Sequence, residues 1–355
     1  MIVGLNGNGF ISYHLQVYFF YKCNDIKVIQ LKRDLLNDLE NLNKCNVIIH
    51  MAEKNRGNES EIYANNIQSA LNLTIALDKI NKQPLVIYTS SIHETADNVY
   101  GQWRRTNKIT FLKWAKNNNF ISIKLPNIFG PFCKPNYNSF IATLCDSFIS
   151  KKEVTVTDNK ITLLYVENLC KQIHEIILGT RIDIDYDITI TIGSVVDTVS
   201  KFVEYIEIGK IPHIDNEFEL NLFTTFRSYI SNRLFDIKHI SDDRGDLKEL
   251  VISKEQGQVF YSTTKPNVTR GNHFHTKRIE RFCIIKGCAK IEMRKIGSDE
   301  IVSYIIKDSD NHVIDMPPYY THNLTNIGTE DLVCVFWMND ILSEQQIDDT
   351  YFEKV

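Results

Sequence analysis

Three histidines and a glutamate in the last third of the sequence have the residue types of a metal site. His273 and His275 stand in the stretch TRGNHFHTKRIERF, Glu280 follows them, and His322 lies further on in MPPYYTHNLTN. If the first stretch is a β-strand, its two-residue period places both histidines on one face, and the next strand can bring the carboxylate beside them. Three imidazoles and one carboxylate are ligands that suit zinc or a similar divalent ion. A lone H-x-H pair facing solvent is the alternative, but Glu280 and His322 favour a metal-binding or catalytic cluster.

Two different patterns of secondary structure must position these and the other polar residues. Before residue 232, apolar strands alternate with amphipathic helices, which predicts a parallel, doubly wound α/β sheet. After it, many short β-type segments such as QVFYSTTK, KIEMRKIG and LVCVFWMN are separated by turns, which predicts a small antiparallel barrel or jelly roll. We therefore predict two domains, 1–232 and 233–355.

The first strand runs into a glycine loop, MIVGLNGNGFIS. Gly7, Gly9 and Ser12 fit the spacing G-x-G-x-x-G with serine at the third position, and Phe10 and Ile11 lie within the loop. The glycines permit a tight turn and the close approach of a pyrophosphate. The N-terminus of the following helix favours the negative charge of that pyrophosphate. A plain strand–helix turn is the alternative, but the position between a strand and a helix predicts a dinucleotide site.

Two further positions bear on the dinucleotide. The second predicted strand, residues 27–31, ends in Lys32 and Arg33, where a basic residue accommodates the extra phosphate of NADP. Arg33 therefore favours NADPH, although two solvated basic residues at a strand end are the alternative. Ala52, which follows the buried strand NVIIHM, is expected to line the same site.

Polar groups at later strand ends carry a first resemblance. Ser91 ends the strand LVIYTSS, Tyr100 follows in NVYGQWRR, and PNIFG comes later. With the glycine loop, these segments resemble an extended short-chain dehydrogenase/reductase with a Rossmann-type sheet, acting on a nucleotide sugar. The resemblance implies that Ser91 binds the sugar carbonyl oxygen and that Tyr100 donates a proton as hydride arrives. Arg104 stands where the family has lysine, so either the reductase operates with arginine or this site is weakened.

Two asparagines are candidates for substrate binding in the same region. Asn127 lies in PNIFG, which resembles the substrate-side turn of the family. Asn138 lies in the amide-rich loop CKPNYNS, where contacts with a sugar or diphosphate are expected. Turn formation alone also explains a Pro-Asn sequence.

A second resemblance covers the C-terminal region. The spacing from His273 to Gly287, and then from Pro317 to His322, resembles the two cupin motifs, with Tyr319 in place of the usual glycine. DDRGDLKE and KPNVTRGNHFH resemble cupin epimerases of sugar nucleotides. This resemblance implies that three residues hold the nucleotide diphosphate and that His273 abstracts a proton. The three are Arg244, Glu249 and Arg270.

Together the two regions resemble the bifunctional capsular-polysaccharide enzymes of the CapF type. The resemblance implies a zinc-binding cupin that epimerises C3 of a UDP-2-acetamido-2,6-dideoxy-4-hexulose, followed by NADPH-dependent reduction of the C4 ketone, and a homodimer. If all four cluster residues bind metal, the base is another residue, such as Lys265, Tyr319 or Tyr320. In the metal-free alternative, His273 is the base and Glu280 tunes it.

Composition limits the function classes. The chain of 355 residues is 43% hydrophobic and 24% charged with a net charge of −4, which gives no indication of nucleic-acid binding. Eight cysteines without a C-x-x-C pair, and no signal peptide or apolar run long enough for a membrane, predict a cytoplasmic protein with no membrane insertion. Three rival functions stay open: an epimerase with an inactive reductase lobe, a non-catalytic dinucleotide sensor with a structural metal, and a metal oxygenase.

Overall fold

The computed structural model describes residues 1–115, 119–154, 156–231, 233–237, 239–242, 245–248, 250–251, 257–339 and 349–355, with the backbone alone at 239–242 and 245–248. Contacts divide the chain into two compact units, both discontinuous in sequence. The first comprises Met1–Phe140 and Asn159–Ile190, and the second Ile141–Asp158 and Thr191–Val355. The boundary predicted after residue 232 falls on a position outside the described residues and stays a prediction.

Helices dominate the first two thirds of the chain. They are α1 (Phe10–Lys22), α2 (Leu39–Lys44), α3 (Glu59–Lys79), α4 (Val99–Trp114), α5 (Phe140–Ile149), α6 (Val166–Ile177), α7 (Ile192–Glu207) and α8 (Glu217–Arg227), with a 3₁₀ turn at Leu35–Asn37. Polar side chains fix several starting points, because Asn58 and Asn98 accept hydrogen bonds from backbone N–H groups in the first turns of α3 and α4.

Strands occur throughout the chain. They are β1 (Ile2–Asn6), β2 (Lys27–Gln30), β3 (Val47–His50), β4 (Leu85–Ser91), β5 (Phe120–Leu125), β6 (Asn127–Phe129), β7 (Lys160–Tyr165), β8 (Ile188–Thr191), β9 (Leu234–Asp236), β10 (His239–Asp242), β11 (Gly245–Lys248), β12 (Gln258–Thr264), β13 (Thr269–Phe274), β14 (Glu280–Lys286), β15 (Cys288–Lys295), β16 (Ile301–Lys307), β17 (His312–Met316), β18 (Tyr320–Asn326), β19 (Leu332–Met338) and β20 (Tyr351–Phe352).

The first unit contains a parallel sheet of order β2-β1-β3-β4-β5. Buried Val, Ile and Leu side chains from β1, β3 and β4 pack against helices on both faces, which is why these strands are almost continuously apolar. The order reverses beside β1, so the carboxyl ends of β1 and β3 flank the crevice where such sheets bind ligands. The predicted doubly wound α/β fold is confirmed.

The second unit contains two five-stranded sheets, β12-β19-β14-β17-β9 and β16-β15-β18-β13-β20, whose described pairings are antiparallel. Their strands alternate inward apolar and outward residues, and Ile291, Met293, Leu324 and Cys334 belong to one core cluster. The predicted cupin-type jelly roll is confirmed. In the described part of the chain, none of the helices combines the length and apolar character that crossing a bilayer requires.

Candidate functional site

The jelly roll brings the three histidines and the glutamate together, and we call these four residues the His3Glu cluster. His273 lies on β13, His275 just after it, Glu280 opens β14, and His322 lies on β18. One ligand atom from each lies within 4.8 Å of the others. The Glu280 carboxylate oxygen Oε2 is 3.1 Å from His275 Nε2 and 3.3 Å from His322 Nε2. The predicted spacing thus corresponds to a compact set of donors.

A β-bulge sets the direction of His273. The pairing of β13 with β18 shifts between Gly271 and His273, and beyond the shift His273 pairs directly with His322. Gly271 has φ +99° and Asn272 φ +59°, so the backbone there needs a residue tolerant of positive φ. A Cβ on Gly271 would also lie 2.8 Å from the carbonyl oxygen of His322. The glycine is therefore needed for β13 to approach β18 at the cluster.

Backbone carbonyls orient two of the imidazoles. His275 Nδ1 lies 2.5 Å from the carbonyl oxygen of Asp349, and His322 Nδ1 lies 3.2 Å from that of Tyr320. Each carbonyl accepts a hydrogen bond from a protonated Nδ1, and the lone pair is then on Nε2, towards Glu280. The two Nε2 atoms and Glu280 Oε2 are buried and form no hydrogen bond with any described residue. Buried polar atoms without partners are costly, and a divalent cation is a partner that suits this donor set.

The pKa values of the cluster residues shift in different directions. Burial, reinforced by His322 and His275, lowers the pKa of His273 to about 3. Burial opposes the charged form of His275, but the Glu280 carboxylate together with Asp349 raises the pKa of His275. Burial alone would raise the pKa of Glu280, yet the charge of His275 holds it well below its ordinary value. The cluster thus contains an ionised carboxylate, as a metal ligand must be.

The other residues predicted for this unit have different surroundings. Arg270 is exposed and donates to the Thr263 carbonyl at 2.9 Å. Tyr319 is buried at φ +59°, and its N–H donates to the His275 carbonyl at 2.7 Å, so a tyrosine adopts the conformation that the usual glycine prefers. Lys265 is exposed and Tyr320 is half-buried. Arg244 and Glu249 lie outside the described residues.

Lys295 is a residue that the sequence pattern did not single out. It ends β15, where alternation places it on the same inward face as Ile291 and Met293, and it pairs with Tyr320 two positions before His322. Burial lowers the pKa of Lys295. The signal in the sequence was a lysine at the end of an apolar strand. Identifying it as inward-facing required knowing which residues of β15 face the core.

In the first unit, the glycine loop has the form expected for anion binding. Gly7 has φ +133°, and a Cβ there would lie 3.0 Å from Met51 at the end of β3. Gly9 precedes α1 without a side-chain cap, and a Cβ on it would meet no described atom within 4 Å. The space beside Gly9 at the N-terminus of α1 is therefore open, as the close approach of a pyrophosphate requires.

The remaining loop residues, Phe10, Ile11 and Ser12, pack against neighbouring side chains or form side-chain hydrogen bonds. Ile11 packs against the apolar core, and Phe10 contacts His14 edge-on with ring centroids 4.9 Å apart. The buried Ser12 hydroxyl donates to Gln30 Oε1 at 3.0 Å, and Gln30 Nε2 in turn donates to the carbonyl of Gly7 at 3.0 Å. Ser12 thus ties α1 to the end of β2.

The two outlying dinucleotide candidates lie at the carboxyl ends of strands. Ala52 follows β3 and is half-buried, while Arg33 is exposed beyond β2. These are positions at which a ribose and a 2′-phosphate are met in such sheets.

Ser91 and Tyr100 lie on successive elements of the chain, at the end of β4 and at the start of α4. Ser91 is buried at the end of β4, and its hydroxyl oxygen accepts a hydrogen bond from the His93 N–H at 3.1 Å. Tyr100 is half-buried in the first turn of α4. Among the substrate candidates, Asn127 opens β6 and is half-buried, and Asn138 is exposed in its loop.

Arg104 is held by an acidic partner, Glu53, that no sequence motif marks. Its guanidinium is buried and donates to both carboxylate oxygens of Glu53, at 3.0 and 2.8 Å, and to the Thr89 carbonyl at 3.0 Å. The guanidinium carbon lies 4.5 Å from the Tyr100 ring centroid and 4.5 Å from that of Trp103.

Burial opposes the charge on Arg104, but Glu53 together with Tyr100 and Tyr88 raises the pKa of the guanidinium. The bidentate geometry with a carboxylate is the strongest arrangement for such a pair. Glu53 stands at the carboxyl end of β3, and an acid there combined with an arginine in the lysine position was the available signal.

Comparison with known proteins places this geometry in context. The polysaccharide biosynthesis C-terminal domain family matches residues 240–351. The solved structure of the capsular polysaccharide assembling protein CapF from Staphylococcus aureus is 30% identical, covers 100% of both chains and superposes with a TM-score of 0.63. The chain belongs to the CapF family. A structure of CapF with the inhibitor 3-isopropenyl-tropolone is 28% identical over 100% of this chain and 99% of that one, with a TM-score of 0.56.

A curated relative carries an enzymatic name. The UDP-2-acetamido-2,6-beta-L-arabino-hexul-4-ose reductase of Pseudomonas aeruginosa is 26% identical to this CapF-family chain, over 97% of this chain and 96% of the relative. The likeness extends across both compact units.

Proposed function

We propose that the chain is a bifunctional nucleotide-sugar enzyme of polysaccharide synthesis. The second unit epimerises C3 of a UDP-2-acetamido-2,6-dideoxy-4-hexulose, and the first reduces the C4 ketone with NADPH. The observation that carries the proposal is the buried His3Glu cluster, in a chain that also holds a glycine loop, Ser91 and Tyr100 at the ligand-binding edge of a parallel sheet. The name of the Pseudomonas aeruginosa relative supports this substrate class.

The metal belongs to the same proposal. His273, His275, Glu280 and His322 would hold Zn²⁺, because their ligand atoms converge and three of them are buried without hydrogen bonds to described residues. Bound there, the cation supplies positive charge that favours loss of a proton next to a ketone. The polypeptide's own contribution is to hold these donors in one geometry and to exclude water around them.

Lys295 is our choice for the epimerase base. The C4 ketone acidifies the C3 proton, and a base must remove it and allow its return on the opposite face. Lys295 is half-buried on the inward face of β15 beside Tyr320, and its lowered pKa increases the neutral amine fraction. Of the bases considered from the sequence, Lys265 is exposed and the backbone of buried Tyr319 is tied to His275.

The reductase step uses residues of the first unit. The N-terminus of α1 would receive the pyrophosphate, and Arg33 would meet the 2′-phosphate of NADPH. Ser91 would bind the ketone oxygen and Tyr100 would donate the proton that accompanies hydride transfer. Arg104 would contribute its charge from beneath the Tyr100 ring, while Glu53 fixes its orientation. Homodimeric assembly remains part of the proposal.

An epimerase with an inactive reductase lobe is the second candidate. The pairing of Arg104 with Glu53 favours it, because a guanidinium committed to a carboxylate and a carbonyl has fewer donors left for a nicotinamide ribose.

One experiment tests both candidates. The chain is incubated with the 4-keto product of a UDP-GlcNAc dehydratase and NADPH in D₂O, and the product is examined by NMR. We expect deuterium at C3 and loss of the ketone. Deuterium without NADPH oxidation would select the second candidate, and recovery of unchanged substrate would overturn the enzymatic proposal.

Two variants separate the half-reactions. Lys295→Met should abolish deuterium incorporation while the protein still binds metal, and Tyr100→Phe should retain deuterium incorporation and lose NADPH oxidation. Wild-type exchange by the Lys295→Met variant would remove Lys295 as the base and leave the rest of the proposal standing.

A further inference from the structure

The loop between two residues of the His3Glu cluster is tied to the C-terminal segment by one carboxylate. Asp349 Oδ1 accepts hydrogen bonds from the Thr276 N–H at 2.7 Å and the Thr276 hydroxyl at 2.6 Å. Asp349 Oδ2 accepts from the N–H groups of Lys277 at 3.0 Å and Arg278 at 2.7 Å. Three consecutive N–H groups thus converge on one side chain, an arrangement that binds anions. These residues join His275 to Glu280, so the carboxylate fixes the path between them.

The same residue contacts the cluster through its backbone. The carbonyl oxygen of Asp349 lies 2.5 Å from His275 Nδ1, and Nε2 of that ring faces Glu280 at 3.1 Å. A carbonyl can only accept, so it selects the tautomer with the proton on Nδ1 and the lone pair on Nε2. The side chain of Asp349 therefore holds in place the carbonyl that orients His275.

The rest of the C-terminal segment, residues 349–355, continues along β13. Phe352 pairs with His273 and Tyr351 with Phe274, and the N–H of Glu353 donates to the Asn272 carbonyl at 3.0 Å. Arg294 donates to the Glu353 carboxylate at 3.1 Å, at the partly exposed end of the segment. Asp349 is thus the residue of this segment that contacts His275, whereas the Glu353 side chain is anchored on Arg294.

We propose that Asp349 is a positioning residue of the His3Glu cluster, one that sets the tautomer and direction of His275 and the spacing from His275 to Glu280. The inference rests on the proposed metal site and adds to it a residue more than 70 positions from His275 in sequence. Partners of this kind keep a ligand oriented, and their loss typically weakens metal binding by about 10- to 100-fold.

The test compares variants of the full chain by Co²⁺ and Zn²⁺ titration. In Asp349→Asn, an amide nitrogen replaces one acceptor oxygen and faces a backbone N–H group, so at least one backbone hydrogen bond to residue 349 is lost and two donors are brought face to face. We expect metal affinity to fall by about 10- to 100-fold and the visible spectrum of bound Co²⁺ to change. Thr276→Val removes the hydroxyl bond to Asp349 and keeps the three backbone N–H bonds to it, so it should give a smaller loss, and it provides a second test if the first variant fails to fold.

Glu353→Gln is the matched control, because it alters an anchor of the same segment that does not touch His275. Its metal affinity and Co²⁺ spectrum should equal those of the unaltered chain, and urea unfolding of the metal-free proteins reports any general loss of stability. Unaltered metal affinity in Asp349→Asn, or an equal loss in Glu353→Gln, would overturn the inference. If the unaltered chain binds neither ion, the proposed metal site itself is wrong, and that result is distinct from the other two.

Discussion

At the scale of single residues, the first unit contains a buried ion pair of Arg104 and Glu53. The side chains are only 7% and 10% exposed, so neither charge is well hydrated. Burial raises the pKa of Glu53, and the guanidinium opposes that effect. Removing one partner would leave the other charge buried and unpaired, which costs far more than losing an exposed pair.

We therefore predict strong coupling between these two positions. Glu53→Gln and Arg104→Met should each lower the free energy of unfolding by about 3–5 kcal/mol. The double variant should lose clearly less than the sum, because both charges are then gone. Urea unfolding of the single and double variants measures the coupling.

The exposed pair of Glu40 and Lys44, one helical turn apart, serves as the control for this cycle. There we expect a coupling close to zero, because both side chains are exposed and their charges are screened by solvent. Additive losses at Glu53 and Arg104 would show that the buried pair contributes no specific interaction.

The sequence could identify one half of this pair and not the other. Arg104 stood out because it replaces an expected lysine, whereas Glu53 is 51 positions away and follows a strand like many ordinary surface acids. Asp349 could not be identified for the same reason, because its hydrogen-bond donors lie in a loop more than 70 positions earlier in the sequence. Contacts of this kind depend on tertiary folding, and neither periodicity nor motif spacing encodes them.

At the scale of elements, the cluster depends on how closely β13 approaches β18. Two-residue alternation placed His273 and His275 on one face of a predicted strand, whereas no strand was predicted at the position of β18. The bulge at Gly271 was not predictable from that alternation, because a bulge interrupts the period on which the prediction rests. Tyr319 is a similar case, since a positive φ at a tyrosine is uncommon and is maintained by the surrounding fold.

Substitution of Gly271 tests this dependence. In Gly271→Ala the new Cβ would lie 2.8 Å from the His322 carbonyl oxygen at φ +99°, so β13 must shift away from β18. We expect a loss of more than about 1 kcal/mol in the free energy of unfolding, together with weaker Co²⁺ binding. Urea unfolding and metal titration measure the two effects.

Gly179→Ala controls for backbone strain alone. Gly179 has φ +75°, and a Cβ there would meet no described atom within 4 Å. Its substitution should cost only the backbone preference, about 1–2 kcal/mol at most, and leave metal binding unchanged. Equal losses in both variants, with metal binding intact in both, would mean that the close approach at Gly271 has no role in the cluster.

At the scale of the whole molecule, the two candidate sites lie in different compact units. The His3Glu cluster belongs to the second unit, and the glycine loop, Ser91 and Tyr100 belong to the first. The sequence predicted the two fold types correctly, because each has its own hydrophobic period. The inclusion of residues 141–158 in the second unit was not visible in the sequence, since it follows from contacts made far along the chain.

Separate sites imply that the proposed reactions can be divided between two protein molecules. Tyr100→Phe should epimerise without reducing, and Glu280→Gln should retain the reductase residues without a functional cluster. A mixture should convert the 4-keto sugar to the epimerised and reduced product after a lag, because the intermediate must leave one molecule and bind another. Excess Glu280→Gln protein should shorten the lag by capturing the released ketone sooner.

The control mixes Tyr100→Phe with a protein that carries both substitutions, which should yield no reduced product. NMR of the sugar and NADPH absorbance follow the two half-reactions over time. If the complementing mixture forms no more product than its two components separately, then either the intermediate is not released or the reactions need both sites in one chain. A burst of product without a lag would instead indicate that one variant retains both activities, and the assignment of one reaction to each unit would fail.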